Sequence, residues 1–470
     1  MSDDLWRRSG VELAELIRTR QVTSTEATTS VLDRIADLNP RINAIVFDLA
    51  DQALAQAAEA DAAVARGDAL GLLHGVPVTV KENIDLLGAP TTNGVAAFAD
   101  VFPPDDSVVA ANLRRAGAVF VGRTNTPEFS MRGTTDNPLR GRTFNPWDGE
   151  ASAGGSSGGA GAAAAAGFGP IHHGNDIGGS LRYPAFMNGV ATVKPTSFRV
   201  PTWNPSAAAE RGSLSLTMSC QGVIAREVAD VRLGTRALIA PDPRDPNSPP
   251  VPWDGPALDA PVTVAVTTFS GGFDIHPGIV ALIERAAGQL ADAGYKVVWA
   301  DPPPITEPAR AWFGAGSTEM EVFLDPAVQA YGSDDIKQVF RWFFDASRPL
   351  DRNGYALALA ERNRMLRQWN LFLHDHPLVL APLLMTPAYR WDFDLQSFDA
   401  FTHWLDAAVW SFGINYLGLP AGVLGMDLVD GLPAGVQLIG RRWREDLICD
   451  ALEAVEARNG VLSRQLWARD

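Results

Sequence analysis

Cysteine is nearly missing from this chain: Cys220 and Cys449 are the only two in 470 residues. Two thiols so far apart exclude a disulfide framework and a cysteine-built metal cluster. Lysine is almost as scarce, with Lys81, Lys194, Lys296 and Lys337 making up four of 39 basic residues, and no run of Lys or Arg occurs. At a formal charge of −16, the basic face that phosphate binding requires is lacking, so no nucleic-acid partner is expected. Long apolar runs are absent too. None approaches the roughly 18 residues that cross a bilayer, and no apolar stretch follows the polar start Met1 to Arg8, so a cytoplasmic protein without a membrane partner is expected. The seven histidines include His374-Asp-His376 but bring no Cys or Glu at ligand spacing, so no metal is expected.

What remains is an ordinary globular composition, 46% hydrophobic and 20% charged, with ample apolar surface for a core. Thr23-Ser-Thr-Glu26 fits a capping box that opens a helix to about Leu38, and Ala50 to Ala65 has the pattern of a second helix. Short apolar runs read as strands at Ala44 to Phe47, Val76 to Val80, Ala118 to Val121, Val262 to Thr267, Lys296 to Trp299, Leu378 to Leu380 and Ala434 to Leu438. Their alternation with helical patterns implies an α/β sheet buried on both faces. Pro241 to Pro261 holds eight prolines and must be a loop, read as a surface excursion.

Two glycine-dense turns hold the chemistry. One is Ser152-Ala-Gly-Gly-Ser-Ser-Gly-Gly-Ala-Gly161 and the other Gly174-Asn-Asp-Ile-Gly-Gly-Ser-Leu-Arg-Tyr-Pro184, which expose Ser156 and Ser180. Glycine at this density clears side chains from around a hydroxyl and lets several N–H groups converge, the make-up of a nucleophile beside an oxyanion hole. Upstream, the β-type run Gly75-Val-Pro-Val-Thr-Val-Lys81 delivers one of the rare lysines. A desolvated lysine can give up its proton and an arginine cannot, so Lys81 is a candidate base.

These segments resemble the amidase signature family of Ser-Ser-Lys hydrolases: Gly75 to Ile84, Gly154 to Gly159 and Asp176-Ile-Gly-Gly-Ser-Leu-Arg182. The likeness continues through Gly122 to Phe129, Thr143 to Trp147, Lys194-Pro-Thr196, Asn415 to Ala421 and Gly431 to Gly440, and lapses only from about 240 to 375. It implies one large α/β domain over 1–470 with a mixed central sheet covered by helices on both faces. Its expected parts are helical cover to about 70, a signature core at 71–230, a variable aromatic-rich region at 240–416 and a return to the core at 417–470. It further implies an amidase without cofactor, in which Ser180 attacks the carbonyl of a small amide, Ser156 relays the proton after a cis peptide bond, and neutral Lys81 is the base. The N–H groups of Ile177, Gly178, Gly179 and Ser180 would line the oxyanion hole. Ser157, Asn175, Asp176 and Arg182 would support the site, Asp176 and Arg182 by pairing across the turn. Carbamates, anilides and esters are alternative substrates, and an amidotransferase A-type subunit is the alternative of another class. Any assembly would be a homodimer.

Two departures stand out against the family pattern: Asn175 replaces a small hydroxyl residue, and Tyr183 stands where amidotransferase subunits of the A type tend to carry Gln. Other motif readings fare worse. Gly154-Gly-Ser-Ser-Gly158 satisfies the nucleophile elbow and Gly159 to Ala164 a dinucleotide fingerprint, yet neither follows a strand pattern. Adjacent His172 and His173 would face opposite ways on an extended segment, so neither is the expected base. Half of the 40 aromatics fall between Trp312 and Tyr416, among them Trp342-Phe-Phe344, too many in a row for one face to bury. An aromatic-walled pocket opening on Ser180 is expected, with His172 or His173 near its rim, and with it a bulky or aromatic amide as substrate.

Overall fold

The computed structural model describes residues 4–207, 209–258 and 261–468. Eleven strands form one mixed sheet: β1 (Ile45–Asp48), β2 (Pro77–Lys81), β3 (Val119–Thr124), β4 (Ile171–Asp176), β5 (Ala191–Lys194), β6 (Cys220–Ala225), β7 (Thr263–Val266), β8 (Lys296–Trp299), β9 (Leu378–Ala381), β10 (Ala421–Val429) and β11 (Leu432–Gly440). Their order is β1-β3-β2-β4-β6-β5-β10-β11-β9-β7-β8. Parallel pairing joins β2 to β3 and β4, and β7 to β8 and β9; the middle of the sheet, β4-β6-β5-β10-β11-β9, is antiparallel throughout.

The capping box forms as the sequence suggests, with Thr23 Oγ1 accepting from Glu26 N (3.0 Å) and Glu26 Oε2 from Thr23 N (2.8 Å); such a cap contributes about 1 kcal/mol. It starts the helix Ser24–Ile42, and Ala50–Arg66 follows. β4, β5, β6 and β10 were not expected. β4 reads Ile-His-His-Gly-Asn-Asp, polar where a central strand should be apolar, and every one of its residues except Asn175 is buried. The structure satisfies those polar groups one by one instead of excluding them.

The helix Gly158–Ala166, composed only of glycine and alanine, is buried on every side. A Cβ at Gly159 would lie 2.4 Å from Asn125 N, and one at Gly161 2.7 Å from Asn188 Nδ2. Small side chains therefore let this helix run deep into the body, with Ser156 and Ser157 at its N-terminal end. The proline-rich excursion is tied down by Arg199 Nη2 donating to Pro252 O (2.7 Å) and Arg444 Nη1 to Pro256 O (2.9 Å); its residues 259 and 260 lie outside the described ones.

Candidate active site

β2 ends at Lys81, whose side chain is fully buried. Its Nζ lies 2.8 Å from Ser156 Oγ, 3.1 Å from Ser157 Oγ and 2.8 Å from Asn175 Oδ1. Three polar partners match the three positions of an amine nitrogen beyond its carbon. Burial holds the Lys81 ammonium well below the usual lysine range, the negative charge of Asp176 opposing this only in part. The Gly155–Ser156 peptide is cis, and Ser157 N donates to Ser180 O (3.2 Å), which ties the two glycine-rich turns together.

Asn175 is itself held. Its Nδ2 donates to Asn83 Oδ1 (2.9 Å) while Asn83 Nδ2 donates to Asn175 Oδ1 (3.2 Å) and to Ser130 Oγ (2.9 Å). This reciprocal amide pair aims Asn175 Oδ1 at Lys81. The sequence flagged Asn175 as a departure but offered no signal for its partner, since Asn83 merely follows the lysine.

Ser180 is half-buried and sits on the turn between β4 and the helix Arg182–Asn188. Asp176 builds that turn by accepting from Gly179 N (2.7 Å), Leu181 N (3.2 Å) and the Arg182 fork (3.0 and 3.1 Å). Both charges are wholly buried. Burial pushes the Asp176 carboxyl up, but the Arg182 guanidinium, with Lys194 and Asn415, more than offsets this and holds it at about 2. Arg182 also donates to Gln437 Oε1 (2.8 Å), Ser411 O (3.2 Å) and Asn415 Oδ1. Asn415, Ser411 and Gln437 were not anticipated, although Asn415 and Gln437 lie in the segments that carry the resemblance.

One expectation needs correction. Gly179 N–H points at Asp176 and not into the cleft, because the carboxylate takes it; its φ of +123° and a Cβ position only 2.3 Å from the Tyr183 ring reserve the place for glycine. The N–H groups of Ile177, Gly178 and Ser180 have no acceptor among the described residues, so three donors are available where four were expected. Glu82 is buried against Arg140 (3.0 and 2.5 Å), and Lys194 Nζ donates to Pro195 O (2.9 Å), so both brace their surroundings.

In front of Ser180 opens a cleft floored by Gly155, Ile177 and Gly178 and walled by Tyr183, Trp312, Phe343, Trp404 and Phe412. Trp312 Nε1 donates to Ile177 O (2.8 Å), fastening the wall to the turn. Of the triplet Trp342-Phe-Phe344, the buried Phe343 faces the cleft while Trp342 packs on Phe398 and Phe401. The histidines are not at its rim. His172 Nδ1 bonds Thr79 Oγ1 (2.8 Å) and His173 Nε2 bonds Gln221 Oε1 (2.9 Å), both inside the sheet, where burial pushes each down to about 3. Among the described residues, no group of three His, Cys, Asp or Glu side chains gathers as a metal ion would require, and no helix is long and apolar enough to cross a membrane.

A family model for amidases matches residues 26–449. This chain belongs to the amidase family. The amidase is 45% identical to an indoleacetamide hydrolase of Bradyrhizobium diazoefficiens over 98% of its own length and 88% of that relative's. It is 33% identical to the A subunit of the glutamyl-tRNA(Gln) amidotransferase of Moorella thermoacetica, covering 96% of this chain and 97% of the other. Among solved structures, a bacterial aryl acylamidase of the amidase signature family superposes with a TM-score of 0.82 at 27% identity, over 98% of this chain and 97% of that one. The amidase thus carries the single-domain α/β fold of that family and is an enzyme that hydrolyses amide C–N bonds.

Proposed function

We propose that this amidase hydrolyses an aryl-bearing primary amide, of the indoleacetamide kind, through an acyl-enzyme on Ser180. The observation that carries the mechanism is the buried Lys81 Nζ at 2.8 Å from Ser156 Oγ. As a neutral amine, Lys81 accepts the Ser156 proton while Ser156 Oγ accepts that of Ser180, and Ser180 Oγ bonds to the substrate carbonyl carbon. The developing oxyanion is met by the N–H groups of Ile177, Gly178 and Ser180; loss of one such donor costs roughly 100- to 1,000-fold in rate. The proton returns by way of Ser156 to the leaving nitrogen, ammonia departs, and water attacks the acyl-enzyme to release the carboxylic acid.

The aromatic walls of the cleft and the 45% identity to an indoleacetamide hydrolase support the substrate class. The acidic charge and the lack of a basic run support an enzyme acting alone in the cytoplasm, without a nucleic-acid partner. A fluorophosphonate is expected to label Ser180, and Ser180→Ala to abolish both labelling and turnover, a loss of about 10⁴-fold or more. An adduct located on Ser156 would reject the assignment. Purified protein tested on indoleacetamide, an anilide, a carbamate, an ester and free glutamine separates the alternatives; glutamine as best substrate would favour the amidotransferase reading.

A further inference from the structure

Behind the aromatic wall lies a second cavity of about 290 Å³, bounded by Leu384, Pro387, Tyr389, Phe393, His403 and Leu432. Trp404 forms part of its lining and part of the lining of the Ser180 cleft. The cleft itself is open to solvent and offers about 30 Å³, of the order of one water molecule, whereas a cavity that accepts benzene measures about 150 Å³. A planar ring therefore fits the larger space more readily than the small one beside Ser180.

The partition between the two is thin. A Cβ on Gly133 would stand 2.7 Å from Trp404 Cζ2 and 2.8 Å from Tyr389 Oη, so a glycine there is what lets both rings close, and Tyr389 Oη donates to Gly133 O (2.9 Å). Trp404 is buried, and its indole N–H is met by the Tyr389 hydroxyl in a poorly formed contact. It is held by ring contacts with Tyr183, Phe343, Phe401 and Phe412. Moving this side chain gives up only that weak contact with Tyr389, and a ligand acceptor would make good its poorly paired N–H.

We infer that the larger cavity seats the aromatic ring of the substrate, and that Trp404 turns aside to join it to the cleft that holds the scissile amide. The class of substrate is a flat aromatic group joined to a carboxamide through a short linker. This rests on the aryl-amide reading above.

The test fills the cavity from Ala388 and Thr386, two more residues of its lining that lie outside the catalytic machinery, using Ala388→Trp and, independently, Thr386→Phe. For each, the KM for indoleacetamide should rise at least about tenfold, while kcat/KM for propionamide stays within about twofold of wild type. Trp404→Ala, which merges the two spaces, should raise kcat/KM for naphthylacetamide relative to phenylacetamide at least about fivefold. Filled variants with an unchanged indoleacetamide KM, or with both substrates lost in parallel, would overturn the assignment of the cavity. A wild-type enzyme that cleaves propionamide but no aryl amide would instead overturn the aryl-amide reading itself.

Discussion

The surroundings of Lys81 and those of Trp404 are built on opposite terms. Around Lys81, polar atoms meet one another at 2.8 to 3.2 Å; around Trp404, rings meet rings at centroid distances of 5.8 to 6.5 Å and a buried N–H has only a poorly formed contact with the Tyr389 hydroxyl. Directional bonds permit one arrangement, while ring packing permits several of similar energy. On the proposed mechanism the contrast divides the labour: proton transfer would rest on the closely bonded side, and choice of substrate on the ring-packed one.

The largest effect expected from breaking the rigid side is that of Lys81→Arg. Arginine keeps its proton at any accessible pH, so the variant should fall about as far as Lys81→Ala, by about 10³-fold or more in kcat. In the wild type, the lowered pKa of Lys81 places its loss of a proton below the ordinary lysine range. Activity should rise with pH through that ionisation, because the working form is the neutral one. A pH profile of kcat checks this, as does the arginine variant: substantial turnover there would remove Lys81 from the base role.

That side of the molecule was largely readable in advance. Lys81 and Ser156 lie in motifs that the structure brings together, and the short apolar runs placed β1, β2, β3, β7, β8, β9 and β11. β4 was missed because its polar residues are satisfied by distant ones, Thr79 and Gln221 among them, and no local pattern reports such partners. The assignment of Gly179 as an oxyanion donor failed for a related reason: which way one N–H points depends on the Asp176 carboxylate three residues earlier. The aromatic wall was foreseen as composition, but Tyr183 and Trp312 could not be told from core rings until the turn at Ile177 was in view.

A smaller change sharpens the comparison. Asn175→Asp puts a negative charge 2.8 Å from Lys81 Nζ, which favours the ammonium and should move the alkaline rise of activity upward by about 1 to 3 pH units while leaving KM nearly unchanged. An unshifted profile would mean that Asn175 does not set the state of Lys81. The smallest effect is expected on the adaptable side. Phe343→Leu keeps an apolar wall but loses a ring that lines the cleft, and it should change kcat for indoleacetamide less than about threefold while raising KM by a few-fold, since it alters contact with the substrate and not the reacting groups. A large fall in kcat with KM unchanged would show that the wall also positions the reacting groups.

The brace on the Ser180 turn has a consequence for the newborn chain. Arg182 reaches Ser411 and Gln437, 229 and 255 positions further along. At about 5 to 20 residues per second, the ribosome needs roughly 10 to 50 seconds to supply them after Ser180 has been made. During that interval Ser180 is present in a turn whose buried arginine still lacks those acceptors, so the turn cannot be fully braced before Gln437 has been made, and a chain released earlier carries the serine without its setting.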